Sequence, residues 1–140
     1  MKFVCDAPDG KAWFRIESEA EAVRESEAMH HAVERYFREE WQKAAESYRP
    51  PPGALFEQEI GLKAHIQRTM PRFLTLRDSE GNGLATAMLP PEDCTGDFRI
   101  IIVGPSNADP YATESEAIRA LGEHFGLTLD RSRCYPYRRV

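Results

Sequence analysis

The sequence predicts a single α+β domain over residues 1–140: a mostly antiparallel sheet of hairpins with one long and one short helix packed on it. Three observations predict it. Turn-forming clusters at 7–10 and 78–83 each sit between apolar runs, as in hairpins. Two capping boxes, Ser18 to Glu21 and Thr113 to Glu116, each open a helical pattern. A chain of 140 residues is one domain's worth, long enough to bury roughly two-thirds of its surface. Local hairpins combined with two helices give helices segregated on an antiparallel sheet.

The first hairpin pairs Lys2–Cys5 with Lys11–Glu17, runs rich in Phe, Val, Trp and Ile. Between them, Ala7-Pro8-Asp9-Gly10 pre-sets φ at Pro, offers an Asx bond at Asp and accepts φ > 0 at Gly. The long helix is expected over 19–48. Acids crowd its first turns (Glu19, Glu21, Glu25, Glu27) and Arg35, Arg38 and Lys43 follow, the order the helix dipole favours. Pro50-Pro51-Pro52 ends it. At 100° per residue, Ala22, Val23, Met29, Val33, Phe37, Trp41 and Ala44 share one face. On that helix His30 lies in the stripe, partly buried, and His31 lies on the surface between Glu27 and Glu34. Adjacent histidines diverge by about 100°, so they are not expected to share a metal.

Residues 57–70 alternate Ile60, Leu62, Ala64 and Ile66 with Gly61, Lys63 and His65, which reads as a strand; the Leu62, Ile66, Met70 spacing also suits a short helix. Phe73–Asp78 and Leu84–Leu89 form the clearest hairpin, about the turn 78–83, and 90–97 is a loop. Phe98–Val103 reads as a central strand, since Ile100–Val103 has no polar alternation. The second helix follows, capped by Thr113, with Ala117, Ile118, Leu121 and Phe125 inward and Gly126 closing it. Leu127–Asp130 reads as a last short strand. The expected order is β-β-α-β-β-β-β-α-β. Both helices open on the string ESEA, but the flanks differ, so no repeat is read.

Function is less constrained. A net charge of −5 weighs against nucleic acid, whose binding draws on positive charge. The longest wholly apolar run is four residues, Ile100–Val103, too short for a membrane span. MKFVCDAPDG holds no apolar h-region, so a secretory leader is not expected. Three cysteines without a CxxC pair fit a reducing cytoplasm and point to no structural metal; no cofactor motif (P-loop, GxGxxG) or GxSxG elbow is present. Cys134, among arginines, is the thiol most favoured as thiolate. Glu40 is the acid expected to lose solvent.

Two features carry the candidate sites. The loop 104–110 leads from a buried strand toward a helix start, and Ser106, Asn107 and Asp109 place polar groups there. Basic residues Lys63, Arg68, Arg72 and Arg77 occupy 61–77 with no acid among them, and Arg131, Arg133, Arg138 and Arg139 crowd the tail. Guanidinium forks suit carboxylates and phosphates. The leading expectation is a non-enzymatic binding or adaptor module that recognises an acidic small molecule or an acidic protein surface, including the first helix of a second copy in a homodimer. Arg68, Arg72, Ser106, Asn107 and Asp109 are its expected ligand-binding residues. The alternative is a small enzyme with its site at the 104–110 loop and neighbouring Arg or His residues.

Overall fold

The computed structural model describes residues 1–53, 58–94 and 98–138, with backbone alone at 58 and 59. Its elements are β1 (Lys2–Ala7), β2 (Lys11–Arg15), α1 (Glu19–Met29), α2 (Val33–Glu46), α3 (Gln58–Thr69), β3 (Arg72–Arg77), β4 (Gly83–Leu89), β5 (Ile101–Val103) and α4 (Tyr111–Phe125). The five strands form one antiparallel sheet in the order β1-β2-β3-β4-β5. The α+β expectation holds. Both hairpins form where turn chemistry placed them, with Asp9 and Gly10 at φ 63° and 74° and Asp78 accepting from the Glu80 and Asn82 amides.

Strand alternation gives the sheet two apolar faces. Leu74, Leu76, Ala85, Leu89 and Ile102 pack with Ala117, Ile118 and Leu121 of α4. Trp13 joins that core, fully buried, and its indole Nε1 donates to the Ala117 carbonyl at 2.8 Å. On the other face Phe73 meets Phe37, and Ile16, Ala22, Ala44, Ile66 and Met70 complete a second core under α1, α2 and α3.

Several expectations change. The helix expected over 19–48 is two helices. His30 takes a left-handed conformation (φ 54°, ψ 51°), and its amide closes α1 on the Ser26 carbonyl. The break has no Gly or Pro to announce it. It is held by tertiary bonds: the Glu34 amide, in the first turn of α2, donates to Ser26 Oγ at 3.1 Å, and Ser26 donates back to the Glu34 carboxylate. One side chain of α1 thus caps α2. The two histidines exchange places as a result, His30 exposed and His31 half-buried.

Residues 58–69 form a helix where a strand was favoured; residue 57 lies outside the described residues. Ile66 and Met70 are buried one turn apart, whereas Ile60 is 75% exposed, so the i, i+4 pattern prevails over alternation. Among the described residues, four α-helices therefore replace one long and one short. The strand expected over 98–103 is Ile101–Val103, and it lies at an edge rather than in the centre. That edge is covered: the Tyr135 amide donates to the Ile100 carbonyl and the Ile102 amide to that of Tyr135. Helix α4 starts at Tyr111, before Thr113, because the Asp109 carboxylate accepts from the Tyr111 amide at 2.9 Å. Gly126 closes it at φ 67°, as expected. Residues 127–130 form no strand. Among the described residues no helix is long and apolar enough to cross a membrane.

Gly122 gives a sharp test of this packing. Glycine inside a helix usually costs about 1 kcal/mol relative to alanine. Here an added Cβ would stand 2.6 Å from the Leu127 backbone carbonyl oxygen, which has little room to yield. Gly122→Ala should therefore destabilise by about 1–3 kcal/mol, the range of an overpacked site, read as a lowered urea midpoint. A gain in stability would mean that the turn after α4 is looser than described.

Candidate functional site

The site starts from a carboxylate that the sequence places inside a helix and the fold seals from water. Glu25 lies one turn from both Ala22 and Met29, so it shares their buried face and is itself 0% exposed. Arg77, at the end of β3, donates from Nη2 to Glu25 Oε1 at 2.6 Å. Thr86 of β4 donates from its hydroxyl to Oε2 at 2.6 Å. Thr86 lies directly across from Thr75, which receives Arg77 Nε at 3.1 Å. Both carboxylate oxygens are satisfied, as a buried charge requires.

His31 extends this chain outward. Val33's amide can only donate, so His31 Nδ1 accepts there, at 3.4 Å. The ring proton then sits on Nε2, which donates to Thr86 Oγ1 at 2.8 Å. The sequence runs imidazole, hydroxyl, carboxylate, guanidinium. Burial pushes the His31 pKa down, with the Glu25 and Glu34 charges opposing it, so the imidazole is held neutral at pH 7. The expectation that His31 is solvated surface is corrected: the helix break turns it onto the sheet.

His31 and Thr86 form part of the wall of a cavity of about 390 Å³ between the start of α2, strands β4 and β5, and the tail. Its remaining walls are mostly apolar: Val33, Phe73, Met88, Ile101 and Val103. Tyr135 and Pro136 close one side, fixed there by the backbone bonds of the tail to β5. Arg99 stands at the lining with its guanidinium 4.6 Å from the Tyr135 ring centre. Among the described residues no carboxylate pairs with Arg99. Asn107, exposed and at φ 60°, adds an amide to the wall.

The expected ligand-binding residues separate. Asn107 lines the cavity; Ser106 is exposed at φ 56° and does not. Asp109 is committed to capping α4 and to Arg131, at 2.7 Å. Arg68 and Arg72 line a second cleft, with Lys2 and Arg15, and no tail arginine lines it. Arg77 is turned inward to Glu25, and Arg139 lies outside the described residues. Cys134 is fully buried and its thiol pKa is raised by burial, against the expectation of a favoured thiolate. Glu40 keeps solvent and meets Lys43 at 3.4 Å, so the desolvated acid is Glu25 instead. Sequence reasoning missed Glu25, Thr86 and Arg99. A signal existed for the first two: an acid at i+3 from one buried helix position and i−4 from another, and threonines centred in otherwise apolar strands. Among the described residues no group of three or more His, Cys, Asp or Glu is placed to hold a metal ion.

Two outcomes test this chain. Glu25→Ala should cost about 3 kcal/mol, at the low end for breaking a buried pair because the Arg77 side chain keeps 18% exposure. Urea unfolding measures it, and a cost near zero would mean that water reaches the pair. The second outcome is a pH dependence. The unfolded chain binds a proton at His31 below about pH 6.5, where the folded protein resists it. His31 therefore contributes stability in full above about pH 6.5, and the contribution falls as pH drops below that value. The thermal midpoint of the native protein should decline between about pH 6.5 and 5, and the decline should be shallower in His31→Gln. Identical slopes would place His31 in solvent.

The chain matches no protein-family model, no curated protein and no solved structure.

Proposed function

We propose that the protein is a binding module for a small acid with an apolar body, held in the cavity between α2, the β4–β5 edge and the tail. One observation carries this reading: a mostly apolar cavity has at its lining a guanidinium that no described carboxylate neutralises, that of Arg99. Apolar walls take up the body of a ligand, and a few placed polar groups orient it. Arg99, propped on Tyr135, supplies the charge for a carboxylate or sulfonate, and Asn107 a neutral hydrogen bond. This refines the acidic-ligand expectation by replacing Ser106 and Asp109 with Arg99.

A small enzyme at the same place has one observation in its favour, the imidazole and hydroxyl in the wall linked to a sealed carboxylate. A general base needs a lone pair free to face its substrate. His31 spends Nδ1 on Val33 and Nε2 on Thr86, and Glu25 is closed to solvent, which is why binding is preferred. Their role in this reading is to hold the wall in one shape.

Titration with 8-anilinonaphthalene-1-sulfonate, an aromatic sulfonate whose fluorescence rises in apolar surroundings, tests the proposal. Saturable one-to-one binding to the folded protein is expected. Arg99→Ala should weaken it about tenfold, the effect of losing roughly 1.4 kcal/mol of charge-assisted contact. Ile101→Trp should fill the cavity and abolish binding while the protein stays folded by circular dichroism. The uncharged analogue N-phenyl-1-naphthylamine should bind the native protein and Arg99→Ala alike. Dye binding indifferent to both substitutions would remove the cavity as the site, and turnover of an ester or amide analogue lost in His31→Gln would favour the enzyme.

A further inference from the structure

The second cleft, of about 380 Å³, lies at the opposite end of the sheet's chemistry. Arg15 ends β2 and Arg72 begins β3. Arg15 pairs with Leu74, so Arg72, two residues before Leu74, is its diagonal neighbour on the same face of the sheet. Both side chains are partly desolvated: burial lowers both guanidinium pKa values, the Glu92 charge opposes that fall at both and Glu17 at Arg15, and the Arg15 charge adds to it at Arg72. Two like charges are thus held close together where water screens them least.

Their partners are few. Arg15 donates from Nη2 to the Gln67 carbonyl at 2.7 Å and meets Glu92 from Nη1 at 3.4 Å. Arg72 donates from Nε to the Pro90 carbonyl and lies over the Phe125 ring at 4.3 Å. Among the described residues neither of its terminal nitrogens has an acceptor. Of the nearby carboxylates, Glu17 follows β2, lines the cleft and accepts from Gln67 Nε2 at 3.4 Å, and the other two come from one loop. Glu92 is 52% exposed and reaches Arg15 at a long distance, and Asp93 pairs with Arg68 in the open. Lys2 adds a cation to the lining, and Phe3, Val4 and Phe125 make it partly apolar.

We propose that this cleft is a site for a small phosphorylated organic molecule, its dianionic phosphoryl group lying between Arg15 and Arg72, with Glu92 as a built-in competitor at the lip. A dianion answers two adjacent guanidiniums, whereas the monoanion Glu92 touches one. Phosphoryl oxygens accept from two forks at once, and the unoccupied terminal nitrogens of Arg72 are the donors they would meet. The cleft exceeds the size of a bare phosphate ion, and its apolar lining gives the organic part a place. This site takes a ligand independently of the apolar cavity.

Calorimetric titration at pH 8 and low ionic strength, with phenyl phosphate, inorganic phosphate and benzoate as probes, tests it. Phenyl phosphate should bind at least about tenfold more tightly than benzoate, and more tightly than inorganic phosphate. Glu92→Gln, at an exposed position, should tighten phenyl phosphate about three- to tenfold by removing the competitor, and Lys2→Met should weaken it a few-fold. Arg72→Met should weaken it tenfold or more; because Arg72 also packs on Phe125, the thermal midpoint is measured beside it, and the two exposed substitutions decide if that variant unfolds. Ile101→Trp, which fills the other cavity, should leave phenyl phosphate binding unchanged, so failure of one site is separable from failure of the other. Benzoate binding as tightly as phenyl phosphate would overturn the dianion. Equal affinity for inorganic phosphate would overturn the organic ligand. Unchanged or weaker binding in Glu92→Gln would overturn the competitor, and no binding of any probe at millimolar concentration would overturn the site.

Discussion

A carboxylate with no access to water has to be answered where it is buried, and Glu25 is answered by two strands at once. Arg77 of β3 takes one oxygen and Thr86 of β4 the other. Burying a lone charge costs several kcal/mol even after relaxation, so helix α1 is tolerable only where both partners are present. Apolar packing by Ala22 and Met29 drives α1 onto the sheet. The carboxylate decides where along the sheet it stops, since sliding by one turn would leave it unanswered. Polar groups of this kind specify position more than they add stability.

The break after Met29 follows from the same register. With α1 fixed, the chain must turn for Phe37 to reach Phe73 and Ile16 in the second core. His30 turns it by entering the left-handed region, an uncommon conformation for a residue with a side chain. The exchange of hydrogen bonds between Ser26 and Glu34 restarts the helix. His31, carried round by the turn, donates to the hydroxyl that already serves Glu25. A cavity wall is therefore built by residues whose positions are over-determined by the core. Preorganisation of that sort lowers the ordering cost that a ligand would otherwise meet on binding.

The two clefts divide the chemistry of a chain that is acidic overall. The cavity beside β5 is mostly apolar with one stacked guanidinium, and it is completed by the tail acting as a cover for the sheet edge. The cleft at the ends of β2 and β3 gathers Lys2, Arg15, Arg68 and Arg72 and is faced by Glu17 and by the carboxylates of the loop at 92–93. With a net charge of −5, cations gathered in this way create local fields that the total charge conceals. The strands place both: alternation sends Phe73, Thr86 and Met88 to one face and Leu74, Leu76 and Arg72 to the other.

What the sequence determined by itself were the features written in neighbouring residues. The α+β class, the hairpins about Asp9-Gly10 and 78–83, the cap at Ser18 and the stop at Gly126 all rest on local backbone preferences, and all are present. Tertiary structure decided whatever required two distant segments to meet. Residues 58–69 could satisfy either period until Ile66 and Met70 found the second core. The long helix had no local reason to break, since Ser26 and Glu34 become a cap only once the chain has folded back. Glu25 reads as one more surface acid in a Glu-rich helix until Arg77 and Thr86, 52 and 61 residues away, are brought beneath it. Arginines 68 and 72 announce positive charge in the sequence, but only the pairing of β2 with β3 sets Arg15 beside Arg72, because hydrogen-bond register between strands is a property of the sheet and not of either strand.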